Sequence, residues 1–406
     1  LELPRSTVGG DTIEIRVRLA AGPGGSAAGQ VSLSMDRTPL ARASFDALSS
    51  FGERDVRVKV RVPVGGEEHR VVRAVVSVAG DLVAENDSLA AALDVVSVPR
   101  GVFVSTAPDE DARFALDVLR GTLAIAVRAF YRVAPGVWRQ EPGFTPATEA
   151  EVRRALADAP IAIIHGDTAL LGAPRAVTSG ALALIVPAPG GGDGDEWYAV
   201  GAPVSPLSGA LAGLPWDSLP PIAIGASPTG EWRALTARRP RTLRDERVLI
   251  VGTEQPRRIV VVAGSGFWRW RFRGGVSADA YVAVWGGIFD WMAAGGEDRR
   301  GAVPATPWTR AGEPIMWRRG ARRDSTVTAT LRSFAGGRVD SVTLRFPADA
   351  IIAESPSLPA GEYDVTVPGG RARLVVAQSR EWLARRPTVA SGRVGTARAT
   401  GLAPKL

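Results

Sequence analysis

Cysteine is absent from the 406 residues, and histidine occurs only twice. Without cysteine the chain has no disulfide, no thiolate metal site, no iron–sulfur cluster and no cysteine nucleophile. His69 and His165 are far apart in the sequence, which argues against a histidine-rich metal site. No apolar run approaches the roughly 18 residues that a membrane span needs. We therefore expect neither a metal nor a cofactor.

Lysine is also nearly missing, since Lys59 and Lys405 are the only two among 49 basic residues. The net charge of +7 is unevenly placed: residues 301–406 hold 16 basic and 8 acidic groups, a balance of +8, against +1 for 99–300 and −2 for 1–98. The near absence of lysine, with no RRM, KH or helix-turn-helix signature, argues against a nucleic-acid partner. Residues 381–406 are predicted to form a basic, extended tail.

Two stretches of the chain are predicted to form β-sandwiches. In residues 1–98, short segments such as Thr12–Leu19 alternate apolar and polar side chains and are separated by Gly, Pro, Ser and Asp clusters, as in an antiparallel sandwich. Strands return in residues 301–380, where Leu358–Val376 predicts two strands joined by a Pro-Gly-Gly turn.

Residues 99–300 show a different pattern. Gly101–Ser105, Pro160–Ile164, Ala181–Val186 and Arg258–Ala263 are continuous apolar strands, and a helix is predicted over Ser277–Ala294. Such strands alternating with helices are typical of an α/β sheet covered on both faces. The predicted fold is thus multidomain, with a central flavodoxin-like α/β domain between two immunoglobulin-like sandwiches.

Two motifs resemble known bacterial envelope proteins. AENDSLAAALDVV (Ala84–Val96) resembles the closing stretch of adhesion-type immunoglobulin-like domains. IVVVAGSGFWRWRFRGGVSADAYVAVWGGIFDWMA (Ile259–Ala293) resembles the end of the class I glutamine-amidotransferase-like domain in large envelope proteins. WDSLPP (Trp216–Pro221) and SREWLARRPTVASG (Ser379–Gly392) are similar to the same family. The resemblance implies an amidotransferase-like domain over residues 99–300.

The chain departs from that family at the chemistry. A working amidotransferase needs a cysteine activated by histidine and a carboxylate, and no cysteine is present. The domain is therefore expected to be non-catalytic. Because the chain begins at Leu1 without a signal-peptide pattern, we expect a processed product or a piece of a longer chain.

Polar residues at the ends of the predicted strands are the enzymatic candidates. His165 and Asp167 follow an apolar strand, where α/β proteins place ligands, and Ser265 follows another. A degenerate hydrolase using His165 and Asp167, with Ser265, is one alternative. The other explanation is that His165 and Asp167 stabilise a turn. Asp109, Glu110 and Asp111 are explained by the positive end of a helix without a metal.

Arginines and tryptophans are the partner-binding candidates, since both residue types are enriched where proteins bind each other. Core packing is the competing interpretation of the tryptophans. The candidates are Trp268, Arg269, Trp270, Arg271, Arg273, Arg318, Arg319, Arg322, Arg323, Arg385 and Arg386.

These features predict a non-enzymatic, periplasmic scaffold or interaction protein, an extrinsic subunit that binds and stabilises a membrane protein complex. Its partners would be envelope or membrane-complex subunits, with a peripheral contact to an anionic membrane surface through the basic tail. A glycan-binding protein of the cell envelope is a further alternative, and it predicts that Trp268 and Trp270 are exposed in a groove.

Overall fold

The computed structural model describes residues 1–66, 68–81, 86–123, 125–141, 143–172, 177, 180–189, 196–202, 204–239, 242–294, 299–320, 324–337, 339–347 and 350–378. Strands make up 49% of it and helices 17%, with five helices in the described ranges. The protein is therefore mostly β. The predicted basic tail 381–406 lies outside the described residues.

The N-terminal part is a two-sheet sandwich. A five-stranded sheet in the order β1-β7-β6-β3-β4 faces the pair β2-β5. Side chains of β2 alternate between buried and exposed, because one face of each strand covers the core and the other meets water. Ile15, Leu33 and Leu93 are buried between the sheets. The strands are β1 (Ser6–Val8), β2 (Thr12–Ala20), β3 (Gly29–Met35), β4 (Thr38–Phe45), β5 (Glu53–Arg61), β6 (His69–Val78) and β7 (Ser88–Val96).

An eleven-stranded mixed sheet forms the middle of the molecule. Its order is β11-β10-β9-β8-β12-β13-β18-β17-β16-β14, with β15 paired to β18. The elements are β8 (Gly101–Ser105), α1 (Glu110–Leu123), β9 (Val127–Ala134), β10 (Val137–Glu141), β11 (Thr145–Ala147), α2 (Glu149–Asp158), β12 (Ile161–His165), β13 (Ala181–Val186), β14 (Tyr198–Gly201), α3 (Ser208–Leu211), β15 (Ala223–Ile224), β16 (Trp232–Arg239), β17 (Thr242–Thr253), β18 (Ile259–Ser265), α4 (Trp268–Arg273) and α5 (Gly275–Ala293).

The predicted central flavodoxin-like α/β domain, and with it the predicted fold class, is wrong. Pairing is parallel from β9 to β18 in the middle of the sheet, but β10 and β11 on one side and β17, β16 and β14 on the other pair antiparallel. The error has a physical cause, because a continuous apolar run indicates burial on both faces and carries no information on strand direction.

The C-terminal part is again two sheets around one core. The sheets have the orders β20-β26-β25-β22-β23 and β19-β21-β24, and Trp317, Leu331 and Phe346 are buried between them. The strands are β19 (Ala302–Pro304), β20 (Thr309–Arg310), β21 (Ile315–Arg319), β22 (Thr326–Ser333), β23 (Val339–Arg345), β24 (Ile352–Ser355), β25 (Gly361–Val367) and β26 (Gly370–Ala377).

The C-terminal sandwich packs on the N-terminal one. Val375 lies in a buried cluster with Val71, Ala90 and Ala92. The Trp308 indole N–H donates to the carbonyl of Leu1 at 3.0 Å. The two ends of the described chain are therefore held together. The domain boundaries at 98, 300 and 380 stay predictions. Among the described residues we find no helix with the length and hydropathy of a membrane span.

Candidate functional site

The carboxyl ends of β8 and β12 bring Ser105 and His165 side by side. The two strands are parallel neighbours, and Ser105 is in register with His165. The Ser105 hydroxyl lies 3.0 Å from His165 Nδ1, and both residues are fully buried. Burial lowers the pKa of His165, and the nearby Asp109 carboxylate opposes that shift. His165 is therefore held as a neutral imidazole.

The geometry around His165 differs from that of a serine hydrolase. Asp109 Oδ1 lies 3.4 Å from Nε2, so the carboxylate and the serine occupy opposite ring nitrogens from those of a catalytic triad. Asp109 Oδ1 also accepts from the backbone N–H of Ala112 at 2.8 Å and thus caps α1. Since Ser105 has no exposed surface, it cannot meet a substrate in this conformation.

Asp167, the other predicted hydrolase residue, stabilises its own turn. Its carboxylate accepts from the backbone N–H groups of Ala169 and Leu170 at 2.9 and 3.2 Å. Gly166 precedes it with φ of +96°, and a Cβ there would lie 2.3 Å from the Thr106 hydroxyl. A glycine is required at this position. The turn interpretation of Asp167 matches these contacts.

Asp111 fastens the segment between β18 and α4 to the start of α1. It is 3% exposed and accepts from the backbone N–H of Gly266 and, at 2.6 Å, from that of Trp268. Burial raises the pKa of Asp111 to about 6, although both backbone hydrogen bonds oppose the rise. Ser265, at the end of β18, pairs with Ala223, and no hydrogen bond joins it to His165 in the described residues. Glu110 is exposed in the first turn of α1.

The residues of α4 divide between the core and the surface. Trp270 is fully buried and its indole N–H donates to the carbonyl of Pro220 at 2.8 Å. Trp268 is half-buried, while Phe272, 6.2 Å from it in an edge-to-face contact, is 80% exposed. Phe272 is the most exposed aromatic ring among the described residues, and it lies next to the half-buried Trp268, so the two rings form one apolar surface. We call Trp268, Arg269, Arg271, Phe272 and Arg273 the α4 surface.

Two of the three arginines of the α4 surface, Arg269 and Arg273, are held in place by contacts. The Arg269 guanidinium lies 5.5 Å from the centre of the Trp268 ring, a cation–π contact. Arg273 donates to the carbonyl of Ser218 at 2.9 Å, and Arg269 donates to that of Pro221 at 3.3 Å. Arg271 is exposed between them. The result is an aromatic surface surrounded by fixed positive charge.

The remaining candidates are elsewhere. Arg318 pairs with Asp290 at 3.2 Å and donates to the carbonyl of Leu123 at 3.0 Å, so it joins the C-terminal sandwich to the middle of the molecule. Arg319 donates to the carbonyl of Asp324 at 3.1 Å. Arg322, Arg323, Arg385 and Arg386 lie outside the described residues. Within the described ranges, no three His, Asp or Glu side chains are grouped to hold a metal ion.

No protein-family model and no curated protein matches the sequence. Among solved structures, the chain is similar to a CARDB domain from Pyrococcus furiosus in complex with di-metal ions, at 17% identity and TM-score 0.21, covering 23% of this chain and 83% of that one. The calcium binding domain CBD12 of CALX1.1 is 16% identical, with TM-score 0.17 and coverages of 26% and 49%. A cycloisomaltooligosaccharide glucanotransferase from Paenibacillus sp. is 10% identical, with TM-score 0.22 and coverages of 91% and 70%. All three TM-scores are below 0.5, and similarities this low carry no argument about fold or activity.

Proposed function

We propose that this chain is a non-catalytic, extracytoplasmic interaction protein that binds a membrane-complex subunit through the α4 surface. The observation that carries the proposal is Phe272, which is 80% exposed between Arg271 and Arg273. Aromatic and arginine side chains together are what partner proteins bury at the centre of an interface. The positive charge of this surface favours a partner whose contacting face is acidic and apolar.

The contrast with the strand ends supports a role without catalysis. Asp111 and Asp167 use their carboxylates on backbone N–H groups, and Ser105 is buried against His165. These groups stabilise the fold where a hydrolase would need an exposed nucleophile and its base. The α4 surface, in contrast, has an exposed apolar side chain that the fold does not use.

A glycan-binding role has less support. Sugar-binding grooves present tryptophan faces to solvent, and that alternative requires Trp268 and Trp270 to be exposed. Trp270 is fully buried and Trp268 is half-buried. A single partly covered tryptophan does not form a groove.

Site-specific photocrosslinking tests the proposal. Benzoylphenylalanine replaces Phe272 in the source cells, and membranes are solubilised after irradiation. We expect one crosslinked partner, identified by mass spectrometry as a subunit of a membrane complex. Arg271→Glu should abolish that crosslink because it reverses the charge beside the ring while α4 keeps its buried Trp270.

The matched control is Phe334, an aromatic ring on the C-terminal sandwich that is 54% exposed with the Arg373 guanidinium 4.4 Å from its centre. The same probe at Phe334 should not crosslink the partner. Equal crosslinking at the two positions, or crosslinks to lipid alone at Phe272, would contradict the proposal.

A further inference from the structure

A cavity of about 640 Å³ lies between the middle of the molecule and the C-terminal sandwich. It is at the amino ends of the parallel strands, since its lining includes Arg100 and Pro160, which directly precede β8 and β12, and Ile125, two residues before β9. The volume is within the roughly 300–1,000 Å³ of small-molecule sites. This position is opposite to the carboxyl ends where Ser105 and His165 meet.

One wall of the cavity is apolar and shallow. Ala283, Gly286 and Gly287 of α5 face it, so the helix presents almost no side-chain bulk there. A Cβ on Gly286 would meet only the Thr122 side chain, at ordinary contact distance. The opposite wall contains Val303 and Ile351 of the C-terminal sandwich. A hydrocarbon chain would bury its surface between these walls.

The charges that line the cavity are mostly positive. Arg100, Arg300, Arg318 and Arg319 line it together with two acids, Asp279 and Asp290. Asp290 is paired with Arg318. Arg300 lies 3.4 Å from Asp94 outside the lining, and Arg100 lies 3.5 Å from Glu68.

Arg5 adds a guanidinium that no acid of the described residues neutralises. Its Nη1 is buried and has no hydrogen-bond partner in the described part of the chain. Burial, together with the smaller repulsion from Arg318, lowers the pKa of Arg5 to about 10, and no carboxylate among the described residues opposes that shift. The acid next to it in the fold, Asp94, donates its backbone N–H to the Arg5 carbonyl and directs its carboxylate to His69 and Arg300.

Arg5 is partly buried, and a cation that is partly removed from water without a counterion is unfavourable, while arginine cannot escape the cost by losing its proton at neutral pH. Arg5 does not itself line the cavity, but the positive charge of Arg318 acts on it, and Asp94, which hydrogen-bonds the Arg5 carbonyl, pairs with Arg300. Arg318 and Arg300 both line the cavity, so an anion between them would also offset the charge of Arg5. One uncompensated charge matches a monoanion better than a dianionic phosphate.

We propose that this cavity binds a small amphiphilic monoanion, a carboxylate on a hydrocarbon chain, with the carboxylate between Arg318 and Arg300, where it also offsets the charge of Arg5, and the chain along Ala283, Gly286 and Gly287. Guanidinium groups bind carboxylates through charge-assisted hydrogen bonds. The site is separate from the α4 surface, so its success or failure is independent of the proposed partner.

Isothermal titration calorimetry in a buffer without other organic anions tests this site with octanoate, octanol and inorganic phosphate. Octanoate should bind, while octanol lacks the charge and phosphate lacks the chain, so each should bind at least about tenfold more weakly. Hexadecanoate separates the two sources of such an acid. Tighter binding than octanoate indicates a lipid-derived acid, and equal binding indicates a short soluble one.

Arg5→Met is the decisive variant because it removes the charge and keeps the length of the side chain. We expect it to reduce octanoate affinity by about tenfold or more and to leave Tm in ligand-free buffer unchanged or raised. Arg238→Met, at an exposed arginine paired with Glu246, is the matched control and should bind octanoate like the original chain.

Val282→Asp gives a second check that does not depend on Arg5. Val282 lines the cavity and is 41% exposed, so the change introduces a carboxylate into the cavity without opening a core. Octanoate binding should be lost. The proposal is overturned if octanol binds as well as octanoate, or if Arg5→Met lowers Tm and leaves octanoate affinity intact.

Discussion

The two ends of the parallel strands β8 and β12 differ in how their polar groups are used. At the carboxyl ends, Ser105, His165 and Asp111 are buried and engaged with each other or with backbone N–H groups. At the amino ends there is a cavity of about 640 Å³, and the guanidinium of Arg5 near it has no neutralising partner in the described residues. In open sheets the ligand usually binds at the carboxyl ends. Here the room and the uncompensated charge are at the other end.

The comparison teaches that strand direction alone does not locate a site. A charged residue is the stronger indication of a ligand when folding leaves its charge without an opposite partner; His165 Nε2 has no hydrogen bond in the described residues, but the Asp109 carboxylate lies 3.4 Å from it. His165 and Asp167 are residue types that occur in catalytic sites. His165, however, contacts the buried Ser105, and the Asp167 carboxylate stabilises its own turn. Arg5, which sequence reasoning missed, has no motif around it.

The largest expected effect concerns the amino ends. Asp290→Asn removes the carboxylate that pairs with Arg318 and leaves two partly buried cations, Arg318 and Arg5, that repel each other, so unfolding should become easier by about 3–5 kcal/mol. Arg318→Met also breaks this ion pair and takes Arg318 away from the Asp290 carboxylate, but it removes the repulsion on Arg5, so it should cost only about 1–2 kcal/mol. Urea denaturation of both variants measures the difference. Equal destabilisation by Arg318→Met and Asp290→Asn would show that repulsion between Arg318 and Arg5 does not contribute to the free energy of unfolding.

At the carboxyl ends of the strands, Asp111 should make the free energy of unfolding depend on pH, because its pKa is about 6 in the folded state against 3.8 for an ordinary aspartate. Between these values the folded state binds more protons than the unfolded state, so stability falls as pH rises from 3.8 to about 6 and is level above that. The total change is about 3 kcal/mol. The free energy of unfolding of the original chain minus that of Asp111→Asn, measured against pH, isolates this group.

Asp217→Asn is the control for that titration, since Asp217 is an exposed aspartate in a short 3-10 turn. A flat difference curve for Asp111→Asn, or one that rises with pH, would mean that burial does not destabilise the Asp111 carboxylate.

The smallest effect is expected at Ser105. Ser105→Ala leaves Nδ1 of the buried His165 without its hydrogen bond, which should lower stability by about 1–2 kcal/mol in urea denaturation. Octanoate affinity should not change, because the cavity is at the opposite ends of the strands. Loss of octanoate binding in this variant would contradict the conclusion that the cavity at the amino ends of β8 and β12 is independent of the groups at their carboxyl ends.

Individual strands and helices could be predicted well from the sequence. Gly101–Ser105 is confirmed as a strand with the same bounds, and the helix predicted over Ser277–Ala294 is confirmed as α5, Gly275–Ala293. Apolar runs and helical periodicity are local properties of the chain. Tyr198–Gly201 and Trp232–Arg239 were not predicted as strands, and they are the strands that extend the sheet in the antiparallel direction.

The sites were less predictable because they depend on pairing between distant segments. Ser105 reaches His165 only through the register of β8 with β12, which periodicity does not specify. Arg318 was predicted as a partner-binding residue, and its contact with Asp290 requires the packing of the C-terminal sandwich on α5. The charge of Arg5 is unusual only after folding, since burial is what makes a missing counterion costly.

The central claim is that the carboxyl ends of β8 and β12 are inaccessible to solvent and that the cavity at their amino ends is accessible to ligand. Because the chain has no cysteine, single-cysteine variants measure this accessibility most directly. Ser105→Cys and Val282→Cys are labelled with a maleimide, with and without octanoate. The account predicts that Val282→Cys reacts rapidly and is protected by octanoate, and that Ser105→Cys is slow in both conditions. Rapid labelling of Ser105→Cys, or protection by octanoate there and not at Val282→Cys, would contradict it.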